Sequence, residues 1–158
     1  MLRRFTHPIA SLVVVLAGCS GAFAAKAPAR RAVSDDRAAA AAISRYRAQH
    51  GFGPVQVDAG LTRAAAYAAR ANAAAGSLSH DAGGSFQARM AMTGLPRGLK
   101  AENLGAGTAT FEQTLAMWQA SSGHNANLLL PEARRIGIAH ADASGSSYGR
   151  FWALVVSQ

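Results

Sequence analysis

Cysteine is nearly absent: Cys19 is the only one in 158 residues. A chain with one thiol forms no intramolecular disulfide, so its rigidity must come from packing. Acidic residues are also scarce, with eight Asp and Glu against sixteen Lys and Arg and a formal charge of +8. Much of that excess lies in front. Arg3, Arg4, Lys26, Arg30, Arg31 and Arg37 precede residue 38, leaving a net +4 from Ala38 onward. The later basic residues are scattered, and aromatics make up only 7% of the chain. With no basic run and no interleaved aromatics, the pattern argues against nucleic-acid binding. The apolar run from Ile9 to Ala17 is too short to span a bilayer, which takes about 20 apolar residues.

That run follows Arg3 and Arg4, which is the pattern of a secretory signal. Two cleavage readings stand. Leu16-Ala17-Gly18-Cys19 is similar to the lipobox of bacterial lipoproteins, in which the cysteine is acylated and becomes the new N-terminus. Ala22-Phe23-Ala24 is an ordinary small-residue site, with cleavage after Ala24. The lipobox is preferred, because the sole thiol falls where acylation needs one. The expected organisation is a signal over residues 1–19, a flexible linker over 20–34 and one domain over 35–158. The basic stretch from Lys26 to Arg31 suits a tether beside anionic headgroups, where each charge contributes about 1 kcal/mol. Either cleavage leaves roughly 135–140 residues, enough for one domain with a core.

Helical signals fill the first part of that domain. Ser34 with Asp35 and Asp36 predicts a capped helix start, and Gly51 a stop, with Ile43 and Tyr46 facing inward. His50, in the last turn, suits contact with the helix C-terminus. Phe52 to Val57 reads as a connector. Asp58 predicts the cap of a second helix, ended by Gly76, with Leu61, Ala65, Ala68 and Asn72 inward. A loop over Ser77–Gly84 leads to a short helix from Ser85 to about Thr93, and Lys100–Gly107 reads as a loop or short strand. Thr110-Phe-Glu-Gln113 is a capping-box pattern, placing Phe111, Leu115 and Trp118 on one helical face until Ser121-Ser-Gly-His124 breaks it. From Arg135 the apolar period shortens to two, and Tyr148–Val156 is rich in aromatic and β-branched residues. These read as a closing hairpin in which Phe151 and Trp152 alternate, so one of them faces out or lines a groove. Helices first and a hairpin last predict an α+β fold with an antiparallel sheet.

Three polar residues stand out beside turns or helix boundaries in an apolar frame: His80, Glu102 and His124. Imidazole and carboxylate are the ligand types of zinc or a similar divalent ion, and one open position would leave a bound water to act as nucleophile. Against that, a buried carboxylate equally organises a turn by accepting backbone N–H bonds, which is the structural role assigned to Glu102 and Asn103. Ser121 and Ser122 precede His124 and raise a serine-nucleophile reading, but a triad is defined by geometry rather than by neighbours in sequence.

Taken in order, these segments resemble the CAP superfamily of cysteine-rich secretory proteins, insect-venom antigens and plant pathogenesis-related proteins. The resemblance runs from about Ala38 to the C-terminus and is nearest to the bacterial, SCP-like branch. It is carried by Ile43-Ser-Arg-Tyr-Arg47, Leu61-Thr-Arg-Ala-Ala-Ala-Tyr-Ala68, Leu78-Ser-His80 and Ala101-Glu-Asn-Leu104. Trp118-Gln-Ala-Ser-Ser-Gly-His124, Arg135-Ile-Gly-Ile-Ala139 and Tyr148-Gly-Arg-Phe-Trp152 complete the set. It implies an α-β-α sandwich, a small antiparallel sheet flanked by helices with a cleft on one face. Eukaryotic members carry two histidines and two glutamates in that cleft. His80 and Glu102 match the first of each, Ser121 stands where the second glutamate is expected, and Phe151 is nearest the missing second histidine. The bacterial Ser-x-Gly-His element supplies His124 instead.

The resemblance therefore implies His80, His124 and Glu102 as metal ligands or catalytic candidates, with Asn103 and Ser121 behind them and Cys19 as the lipid attachment. The expected function is an exported, lipid-anchored binding module for a divalent metal or a small ligand: a lipid, a peptide or a cell-wall fragment. Its alternative is a metal-assisted hydrolase of peptide or ester bonds, and an inert interaction surface is the third reading. Fold alone does not choose among them.

Overall fold

The computed structural model describes residues 30–158, with side chains from Asp36 onward. The signal segment, both cleavage sites and Cys19 lie outside the described residues. Helix α1 spans Arg30–Gln49, β1 Gln56–Val57, α2 Ala59–Ala75 and α3 Phe86–Ala91. Strand β2 spans Lys100–Ala106, α4 Phe111–Ala120, α5 Ser122–Leu128, β3 Arg135–Ala143 and β4 Gly149–Ser157. The four strands lie in the order β1-β3-β4-β2. β4 pairs antiparallel with both neighbours, and β1 joins β3 in parallel.

The sheet is covered on both faces, and alternation along β4 divides the core in two. Trp152, Leu154 and Val156 pack with Ala39 and Ile43 of α1 and Leu115 and Trp118 of α4. Ala153 and Val155 pack with Leu61, Ala65 and Ala68 of α2 and Met90 of α3. This is the expected α-β-α sandwich. Both members of the aromatic pair are buried, because neither face of β4 meets solvent; Trp152 also walls a small recess of about 260 Å³. The approach of α2 to β3 depends on Gly137, where an added Cβ would overlap the Leu61 carbonyl and the Thr62 nitrogen.

Several boundaries differ from expectation. Helix α1 starts at Arg30, ahead of the expected cap at Ser34, so Ser34 and Asp35 lie within the helix. The expected connector contains β1, because Gln56 and Asp58 donate to the carbonyls of Arg134 and Ile136. Lys100–Ala106 is a full strand, held by β4 along its length. The other signals fall where expected. Asp58 accepts from Leu61 N–H, Ser85 from Ala88 N–H, and Thr110 with Gln113 completes a capping box.

Arg47 is the unexpected core residue. Ala39, Ile43 and Arg47 recur every four residues, and all three are buried. Its guanidinium donates to the carbonyls of Gly53, Leu128, Leu130 and Ala133. The last three oxygens end α5 and open the approach to β3, and Gly53 lies in the connector after α1, so one side chain satisfies two stretches of buried backbone that secondary structure does not.

Candidate functional site

The site forms at the edge strand β2, where the α3 and α5 sides of the sandwich meet. Alternation puts Glu102 and Leu104 on the α2–α3 face and Asn103 on the other. The Glu102 side chain is only 2% exposed. Its counter-charge comes from α3: Arg89 donates to both carboxylate oxygens, at 2.9 and 2.8 Å. The remaining direction is taken by His80, whose Nδ1 lies 2.8 Å from Glu102 Oε1. A carboxylate only accepts, so His80 donates from Nδ1. Its Nε2 then faces away from Glu102 on a side chain that is 58% exposed.

The loop bearing His80 is held by α2. Asn72, fully buried, accepts from Ser79 N–H at 2.6 Å and donates to Ser79 O and Ala68 O. Arg89 braces the same loop through the carbonyls of Gly84 and Ala82. On the opposite face Asn103 donates to the His124 carbonyl at 3.0 Å and accepts from Asn127 at 2.9 Å. This fastens α5 to β2.

The His124 ring is half-buried, and its Nδ1 is enclosed without a hydrogen-bond partner among the described residues. Burial, with repulsion from His80, pulls its pKa below the ordinary value of 6.5. The charge of His80 is thus felt at the His124 ring, while only His80 is bonded to Glu102 and the His124 carbonyl is held from the Asn103 face of β2. Ser121 is not part of that group: it joins α4 to α5, and its side chain makes no cap bond.

The expected three-ligand metal set is not formed. Among the described residues no three His, Cys, Asp or Glu side chains are placed to hold a metal ion. The physical reason is Arg89, which takes both Glu102 oxygens and puts a permanent cation where a divalent ion would need negative charge. His80, His124 and Glu102 therefore do not fit a zinc centre as arranged. The serine-nucleophile reading gains no support either, since among the described residues no hydroxyl is hydrogen-bonded to either ring.

Arg89, Asn72 and Asn127 complete the site. A buried carboxylate demands a cation or several donors, and Arg89 was the charged residue on the short helix between Phe86 and Met90. That was the available signal. Asn72 was recognised as inward-facing, but its grip on the Ser79 backbone has no sequence signature.

The lowered pKa of His124 has a testable consequence. The unfolded chain binds a proton more readily than the native state, so stability rises with pH. The contribution is fully present above 6.5 and is lost as pH falls through the lower native value. Between pH 8 and 5 the melting temperature should fall less steeply in His124→Gln than in the parent. Parallel melting curves would remove His124 from this account.

Comparison with known proteins agrees with this architecture. A family profile described as the cysteine-rich secretory protein family, CAP, matches residues 40–157. The chain belongs to that family. Among solved structures it is similar to an extracellular SCP-domain protein of Bacillus anthracis, with a TM-score of 0.68 and 19% identity, covering 80% of this chain and 41% of that one. An outer surface protein of Borrelia burgdorferi aligns with a TM-score of 0.68 and 15% identity, covering 77% and 90%. A cysteine-rich secretory protein of Staphylococcus aureus gives 0.65 and 14%, covering 82% and 40%. The chain thus spans about two fifths of the Bacillus and Staphylococcus proteins. At these identities the likeness establishes the fold. No curated protein matches in sequence.

Proposed function

We propose that this protein is an extracellular binding module, carried on the envelope by a lipid at Cys19, that holds a small polar ligand at the His80–His124 edge of its cleft. The ligand class is a peptide or cell-wall fragment offering hydroxyl or amide groups. The observation carrying this reading is the commitment of Glu102. With both oxygens on Arg89 and one shared with His80, the carboxylate fixes a neighbouring ring and is not left to ligate metal or activate water. An exposed ring with a fixed tautomer offers Nε2 as an acceptor, and His124 supplies a second nitrogen nearby. Among the described residues no helix is long and apolar enough to cross a membrane. The family and the extracellular Bacillus relative support export.

The test is a titration of imidazole ¹⁵N resonances with a muropeptide digest, beside labelled palmitate incorporation in a bacterial host. The His80 and His124 signals should move in a saturable way, and His80→Ala/His124→Ala should bind at least tenfold more weakly. Label should incorporate in the parent and disappear in Cys19→Ser. Unmoved imidazole signals would refute the binding reading. Zinc-dependent release of peptide or ester products, abolished by chelator, would replace it with the metal-assisted hydrolase.

A further inference from the structure

A groove of about 440 Å³ lies between α2 and α3; it shares Gly84 and Arg89 with the His80 site, but neither His80 nor His124 lines it. Tyr67, Ala88 and Met92 give it an apolar surface, and Met92 is 85% exposed. Arg63 and Arg70 flank Tyr67 along the exposed side of α2 and also line the groove. Neither arginine donates to an acceptor or pairs with a carboxylate among the described residues, and no acidic residue lines the groove. Arg89 also lines the groove, but its guanidinium is committed to Glu102 and to the carbonyls of Gly84 and Ala82, which leaves Arg63 and Arg70 as the open cations.

The spacing identifies the partner's chemistry. Arg63 and Arg70 are seven residues apart on one helix, about 10 Å along its axis at a rise of 1.5 Å per residue. An acyl chain with one anionic head would answer a single arginine and press methylenes against the other. A peptide in the polyproline II conformation, with three residues per turn, brings acidic residues at positions i and i+3 to one side, about 9 Å apart at roughly 3.1 Å per residue. We propose that this groove docks an acidic peptide segment, its two carboxylates on Arg63 and Arg70 and an intervening apolar side chain on Tyr67 and Met92.

The probe is Glu-Leu-Ala-Glu, amidated and labelled with an uncharged fluorophore, followed by anisotropy against the domain. Binding should be saturable and should weaken at least tenfold in Arg63→Glu/Arg70→Glu. That variant should instead bind Lys-Leu-Ala-Lys. Both positions are exposed, so unchanged circular dichroism is the expected check on folding. Equal binding of Glu-Leu-Ala-Glu by parent and variant would overturn the proposal. So would equal binding of Gln-Leu-Ala-Gln, or binding confined to phosphatidylglycerol vesicles. His80 and His124 are not in the groove, so the His80→Ala/His124→Ala variant should keep its affinity for the acidic peptide even if the cleft proves inert.

Discussion

Replacing Arg89 by alanine should destabilise the domain by about 3–5 kcal/mol, the usual result of removing one partner from a buried ion pair. Glu102 and Arg89 have side chains 2% and 5% exposed, so solvent does not screen the carboxylate left behind. The same substitution releases the carbonyls of Gly84 and Ala82 and loosens the loop that presents His80. Urea denaturation measures the first effect. The ¹⁵N signature of the His80 ring reads the second, because the fixed Nδ1–H tautomer should give way to a mixture. The double variant Arg89→Met/Glu102→Leu should recover most of the stability, since apolar replacement of both partners is often tolerated. It should not recover the tautomer. A loss below about 1 kcal/mol in Arg89→Ala, within the range of an exposed pair, would show that the ion pair does not organise this edge.

The second large effect is expected at Gly137. An alanine there must displace the backbone of Leu61 and Thr62, which are the first turn of a helix and not the yielding tip of a side chain. Overpacking in a rigid core costs about 1–3 kcal/mol and occasionally more, and here the upper end or beyond is expected. Gly53→Ala, where an added Cβ meets nothing within 4 Å, is the control and should change stability by less than about 0.5 kcal/mol. If thermal melts placed the two variants together, α2 would not be seated on β3 as described.

The architecture was largely legible because its signals are local. Asp58, Ser85 and the Thr110–Gln113 box mark three helix starts by side-chain chemistry that acts within one turn. The shift from helical spacing to alternation at Arg135 marks the hairpin. The α1 start was misplaced because a cap motif at Ser34 looks the same within a helix as at its end. β1 was missed because two residues carry no period, and only the parallel partner at Arg135 makes them a strand. In the site, His80, Glu102 and His124 were found as residue types in order. The expected metal chemistry was not supported, because Arg89 reaches Glu102 from thirteen positions away and reverses the local charge. Arg47 illustrates the same limit. Its sequence neighbours say helix, but three of its four acceptors lie on a distant segment brought to it only by the fold.

The position of β4 bears on how the protein folds. The last strand in sequence sits inside the sheet, bonded on one side to β3 and on the other to β2. Until β4 pairs, β2 has no neighbour to bond and neither half of the core has its central wall. The sheet therefore closes through a pairing distant in sequence, which is the slow kind of step because the intervening loop must be ordered before the contact rewards it.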